Sequence, residues 1–266
     1  MRQLGLAQAL LRSGHEVQLV SAMLDPALEA EVTGRRVPIT RVEAPAASQA
    51  DTQALAELAG AVRADWVVLD HYDFSAQQVE ELAATGARVL VIDDFLNRAA
   101  YRGHLLLNQN ADPSYAETYR ERGFGGRLLL GPGFALLRPE FTEGPTPSER
   151  VAERADRLLV TMGSADSVRA TELALSAVAI IQDPALRVDV VVGPANPRGQ
   201  ALRTEFPDSR LSWHEPAADM AALLRGADLV IGAAGVTTLE LSCVGAPALL
   251  MVLADNQELL ARITEA

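Results

Sequence analysis

One cysteine, Cys243, is all the chain contains, which excludes a disulfide framework and a zinc site built on cysteine pairs. Basic residues are in deficit, 23 Lys and Arg against 35 Asp and Glu, for a formal net charge of -12. That balance argues against nucleic acid as a partner, since a phosphate backbone needs a clustered basic face to displace its counterions. No stretch has the continuous apolar length of a membrane span, and the N-terminus lacks a leader pattern, so no membrane insertion and a cytoplasmic location are expected. The four histidines, 15, 71, 104 and 214, show no metal-ligand spacing, and G-x-S-x-G and Walker A patterns are absent. No repeat period of 20 to 50 residues occurs. Neither a metal nor a cofactor is expected, and Cys243, in an apolar helical context, reads as an inert thiol.

What is present is a large apolar fraction arranged in two strand and helix series. With 266 residues, 49% of them hydrophobic, the chain can bury the cores of two modest α/β domains. Leu4, Leu6, Ala7, Leu10 and Leu11 have helical spacing and Ser13-Gly14-His15 ends that helix, so the chain begins inside a helix. An α/β domain leads with a strand, and the first strand of this domain is expected to be missing. Strands are predicted over 17–20, 66–69, 88–92 and 105–107, with helices over 52–63 and 75–85 between them. Residues 142–149 hold two prolines, a glycine and no apolar periodicity, and mark a linker between an N-terminal domain, 1–141, and a C-terminal domain, 150–266. The second series has strands over 158–161, 187–192 and 210–213 and helices over 170–181, 197–205 and 217–225.

Polar residues cluster where strands end, which is where open α/β sheets place their ligand crevice. In the first domain these are Asp70-His71-Tyr72, Asp93-Asp94 and Asn108-Gln109-Asn110. Asp70 reads either as a helix cap with Tyr72 packing, or as part of a site. The paired aspartates admit structural, metal or acid/base readings, and the amide cluster reads as a turn or as a neutral recognition surface. In the second domain the turn after strand 158–161 carries Gly163 and Ser164, and His214 closes the strand over 210–213. The richest stretch is 227–257, in which strand 229–231 enters a glycine turn ending at Gly235 and a helix starts at Val236. Gly235 permits close backbone approach, and the amides of Val236, Thr237 and Thr238 with two hydroxyls suit an anionic ligand. Glu240 lies one turn on, where a carboxylate can take a ribose diol. A second strand, 248–253, ends in Asp255-Asn256-Gln257.

The segments GAAGVTTLE, CVGAP and ADNQ resemble the signatures of PseG-type UDP-sugar hydrolases, relatives of the MurG glycosyltransferases. The D-x-Y at Asp70 and Tyr72 and the G-S-x-D at Gly163 are similar to further motifs of that family. The resemblance implies two Rossmann-like domains facing a cleft, the GT-B arrangement. It also implies hydrolysis of UDP-2,4-diacetamido-2,4,6-trideoxy-β-L-altropyranose at C1, releasing UDP, in pseudaminic acid biosynthesis. By the same resemblance Tyr72 and Asn256 position sugar or water, and Asp70, Asn108, Gly163, Ser164, His214, Gly235, Val236, Thr237, Thr238, Glu240, Asn256 and Gln257 contact the substrate. The family's general-base histidine belongs to a G-x-G-H-x-x-R motif of which only Arg2 is matched, so a piece truncated at both ends is expected. A MurG-like or spore-coat glycosyltransferase and a UDP-sugar-binding protein without turnover stand as alternatives, and a monomer is expected.

Overall fold

The computed structural model describes residues 2–22, 29, 32–144, 153–164, 166, 168–215, 217, 219–254 and 257–264. The chain divides into two compact units, Met1–Pro139 and Glu140–Ala266. This boundary falls just ahead of the linker expected at 142–149, of which 145–149 lie outside the described residues.

The first unit runs α1 (Arg2–Arg12), β1 (Leu19–Ser21), β2 (Ile39–Arg41), α2 (Gln49–Val62), β3 (Trp66–Leu69), α3 (Ala76–Ala83), β4 (Arg88–Ile92), β5 (Leu105–Asn108), α4 (Tyr115–Glu121) and β6 (Arg127–Leu130). The near-continuous apolar run of β4 belongs to a parallel strand covered on both faces. Val89 and Val91 pack with Leu69, Val79 and Leu82, while Leu90 and Ile92 pack with Leu107 on the other side. Ser75 starts α3 with a reciprocal cap: its hydroxyl accepts from the Gln78 amide (3.3 Å), and the Gln78 side chain accepts from the Ser75 amide (2.9 Å). Asp70 is therefore no helix cap.

Among the described residues the pairings in this unit are all parallel and form two sheets, β1-β2 and β3-β4-β5-β6. Helix α1 packs on both. Leu4 and Ala7 join Val32 and Val37, with Leu19 and Ile39 of the small sheet against them, whereas Leu6 packs on the Leu90, Ile92 and Leu107 cluster. Gly5 brings α1 against backbone, for a β-carbon there would stand 2.7 Å from the Leu137 carbonyl oxygen.

The second unit contains β7 (Arg157–Thr161), α5 (Ala170–Ile180), β8 (Arg187–Val191), α6 (Gly199–Glu205), β9 (Leu211–His214), α7 (Met220–Gly226), β10 (Leu229–Ala233), α8 (Thr237–Val244), β11 (Ala248–Met251) and α9 (Glu258–Ile263). Among the described residues its strands form one sheet in the order β11-β10-β7-β8-β9, all parallel, around a core that includes Leu158, Val160, Val188 and Val190. β10 continues two residues past the strand expected at 229–231. Gly232 pairs with both Thr161 and Leu250, and a β-carbon on it would lie 3.2 Å from the Thr161 carbonyl oxygen. Among the described residues no helix is long and apolar enough to cross a membrane. The architecture is α/β, with two Rossmann-like units.

Candidate functional site

In the second unit the chain order reverses beside β7, which lies between β8 and β10. In doubly wound sheets the ligand crevice opens at the carboxyl ends of strands at such a switch point. The Gly232↔Thr161 register sets the Gly163-Ser164 turn beside the Ala234-Gly235 turn, and the Ala233↔Met251 register brings in the tip of β11. Gln257 completes the group. Its Oε1 accepts from the Leu253 amide (2.8 Å), and its Nε2 lies 3.9 Å from where a β-carbon on Gly235 would stand. Asn256, which the sequence reading ranked with Tyr72, lies outside the described residues.

The start of α8 is partly self-satisfied. The Thr238 amide donates to the Gly235 carbonyl (2.9 Å) and the Leu239 amide to the Val236 carbonyl (3.0 Å). Of the three amides expected to face a ligand, those of Val236 and Thr237 are left without a backbone acceptor among the described residues. Val236 is exposed, and it provides no side-chain cap. Thr238 is 2% exposed, and its Oγ1 is buried with no hydrogen-bond partner among the described residues. Such an orphan hydroxyl beside a helix start is a ready donor for an anionic oxygen. Glu240 sits half-buried in the first turn of the same helix.

Gly163 has φ +79°, a left-handed conformation that suits glycine, and both it and Ser164 are exposed. The glycine that permits close approach to this loop is Gly193. A β-carbon at 193 would stand 2.2 Å from the carbonyl oxygens of both Gly163 and Ser164. Asp166 caps α5 through bonds from the Ala170 (2.7 Å) and Thr171 (3.0 Å) amides. His214 lies two strands from the switch point, its Nε2 2.8 Å from Asp189 Oδ1, while Arg157 donates to Asp189 Oδ2 (3.2 Å). Burial pushes the Cys243 thiol up, against the opposing charge of Arg225, so it stays protonated.

The first unit gathers a second polar group at the carboxyl ends of β3, β4 and β5. Arg2 donates from Nε to Asp70 Oδ2 (2.8 Å), from Nη2 to Asp70 Oδ1, and from Nη1 to Asp94 Oδ1 (2.8 Å). Gln3 also donates to Asp70 (2.6 Å). Burial alone would raise the Asp70 pKa, but the hydrogen bonds and charge of Arg2 outweigh it and hold the carboxyl below its ordinary value. Tyr72 donates to Asp94 Oδ2 (2.5 Å), and burial together with that bond and charge pushes its phenol up to about 12. At neutral pH Tyr72 is thus a proton donor and no base.

The two aspartates, alike in sequence, are separated by function. Asp93 is fully buried and accepts from the hydroxyls of Tyr101 (3.0 Å) and Tyr119 (2.8 Å). Asn108, expected to meet the substrate, is also fully buried and donates to Tyr119 (2.8 Å). Its place in the polar group is taken by Asn110, whose Nδ2 donates to Asp94 Oδ1 (2.9 Å). Asp94, Arg2 and Asn110 are the residues sequence reasoning underweighted; strand-end position was the signal for Asp94 and Asn110, whereas Arg2 opens helix α1. No cluster of three or more His, Cys, Asp or Glu suited to a metal ion occurs among the described residues.

No family model matches the chain. Over 133 residues, 49% of this chain and 39% of the relative, it is 26% identical to the spore coat polysaccharide biosynthesis protein SpsG of Bacillus subtilis (strain 168). The match thus spans well under half of that relative's length. Among solved structures, MurG of Acinetobacter baumannii superposes with a TM-score of 0.60 at 16% identity, covering 98% of this chain and 78% of that one. HepE of Anabaena in complex with UDP gives 0.58 at 12% identity, covering 98% and 85%. At these identities the likeness is one of fold, and the fold is that of the GT-B glycosyltransferases, built from two Rossmann-like units.

Proposed function

We propose that this chain is a cytoplasmic enzyme that binds a UDP-linked sugar through its second unit and transfers the glycosyl group, as a glycosyltransferase of the MurG or spore-coat kind. The carrying observation is the approach of the Gln257 amide to Gly235 at the switch point of a doubly wound sheet, with the buried Thr238 hydroxyl in the first turn of the helix that follows. In this reading the amides of Val236 and Thr237 and the Thr238 hydroxyl hold diphosphate oxygens, and Glu240 takes the ribose diol. As the bond from C1 to the diphosphate breaks, negative charge grows on UDP, and donors aimed at it stabilise the transition state. No protonating acid is needed for so good a leaving group. UDP in a solved structure of similar fold supports the ligand class, and the partial match to the spore coat polysaccharide biosynthesis protein SpsG supports a role in building a glycan.

A second reading, hydrolysis of UDP-2,4-diacetamido-2,4,6-trideoxy-β-L-altropyranose in pseudaminic acid biosynthesis, is favoured by GAAGVTTLE, CVGAP and ADNQ. Water then replaces the acceptor hydroxyl. Calorimetry with UDP tests the ligand, and UDP release from UDP-sugars with and without an acceptor separates the reactions. Transfer predicts release that requires acceptor, whereas acceptor-independent release selects hydrolysis. Binding without release in either condition selects a UDP-sugar-binding protein, and failure to bind UDP removes all three readings.

A further inference from the structure

Helix α5 is apolar on two opposite sides. Towards the core, Ala170, Ala174, Leu175 and Val178 are 4% exposed or less. The other side repeats that chemistry in solvent: Leu173 and Ile180, two turns apart, are 62% and 79% exposed, and Ala177 lies exposed between them. Ile181, also exposed, continues the stripe. From Leu173 to Gln182 no residue carries a charge, whereas the solvent side of α3 shows Gln77 and Glu80. A helix without a polar face is one that a neighbour covers. Beside the stripe an open groove of about 350 Å³, walled by Val178, Ala179, Phe206, Pro207 and Leu211, extends the apolar surface.

Charge and symmetry narrow what covers it. At the start of α5, Arg169 and Arg198 pair with Glu172 and Glu205. At its end Arg154, Arg187 and Arg210 stand with Asp156, Asp183 and Asp208, so the surround is balanced in a chain whose net charge is -12. An anionic lipid surface finds no basic patch there, while a second acidic copy meets no excess of like charge. Leu173 and Ile180 flank Ala177 at four and three residues. Two copies crossing antiparallel at Ala177 therefore set Leu173 of each against Ile180 of the other, with a small residue at the crossing point. A two-fold contact requires such a surface, complementary to itself. We propose that this face of the second unit is a homodimer contact, formed by α5 and its groove against the same elements of a second copy, in place of the monomer expected from the sequence. With 11 residues α5 is about 16 Å long. That is too short to bury alone the roughly 800 Å² per partner of a stable interface, so the pair is weak, with a dissociation constant on the order of 10 μM.

Sedimentation equilibrium on the full chain, from about 1 to 300 μM, tests this. The weight-average mass should climb from 28.4 kDa toward twice that value. Added salt should tighten the pair, because it screens the repulsion between two acidic chains. Ile180→Glu puts a charge where the parent side chain is already in solvent, so circular dichroism and UDP affinity should match the parent while self-association weakens about tenfold or more. In a Cys243→Ser background, Ala177→Cys should form a disulfide-linked dimer on mild oxidation, since helices crossing at that residue bring its two α-carbons within about 7 Å. A mass fixed at 28.4 kDa over the whole range, association that Ile180→Glu leaves intact, or Ala177→Cys chains that stay unlinked overturns the contact. A monomeric chain that sediments with phosphatidylcholine vesicles overturns it in favour of a lipid surface.

Discussion

Gly235 and Gly193 look alike in the sequence and differ in what surrounds them. A β-carbon on Gly235 meets only Gln257 Nε2, at the ordinary contact distance of 3.9 Å, so Gly235→Ala should unfold within about 0.5 kcal/mol of the parent. Its methyl stands where the proposed ligand approaches, and UDP affinity should fall about tenfold. Gly193→Ala places a carbon 2.2 Å from two carbonyl oxygens and should destabilise by about 3 kcal/mol. Denaturant titration with calorimetry checks both, and a Gly235→Ala chain that binds UDP normally would sink the assignment of this turn. Thr238→Val removes an unpartnered hydroxyl at constant shape, so stability should hold or rise while UDP binding weakens about tenfold. Glycines as a class were legible, but which one needs to lack a side chain depends on neighbours far away in the chain. Asn108 was misjudged for the same reason: its partner Tyr119 arrives from a helix that the local pattern does not relate to it.

At the scale of elements, periodicity carried most of the information. The apolar runs of β3 and β4 gave their limits directly, most sharply for β4, where burial on both faces leaves one solution. The division of labour at the end of β4 was hidden, since only three-dimensional pairing tells buried Asp93 from Asp94. Asp70 ties α1 to β3 and has a pH consequence. Its folded pKa is depressed, so its stabilising contribution is complete well above the unfolded value of about 3.9 and is lost as pH falls through the lower folded value. Asp70→Asn should therefore be less stable at pH 7 yet show a flatter loss of stability between pH 5 and pH 3. Urea titrations at several pH values read this slope, and parallel slopes in both proteins would contradict it. Amide exchange reads the sheets in turn. β4 has a neighbour on each side, whereas β1 and β3 each pair on one side among the described residues, so their amides should exchange about a hundredfold faster than those of β4.

For the molecule as a whole, the net charge of -12 opposes the approach of an anion such as UDP. Raising salt shortens the screening length from about 30 Å at 0.01 M to about 8 Å at 0.15 M, which weakens that long-range repulsion. UDP association should consequently stay level or quicken with salt over this range. A steep decline, measured by stopped flow, would reveal a strongly basic binding surface that the composition does not suggest. Two-unit organisation was legible from the two strand and helix series, but the split of the first unit into two sheets under one helix was not, because strand neighbours are a matter of topology. Gly5 shows what that arrangement entails. A methyl group at position 5 collides with the Leu137 carbonyl, so α1 must lift, and Arg2, one turn away on the same helix, lifts with it. The charge balance between Asp70 and Asp94 is in this way governed by the spacing of two main chains, and a substitution that touches neither carboxylate should loosen both.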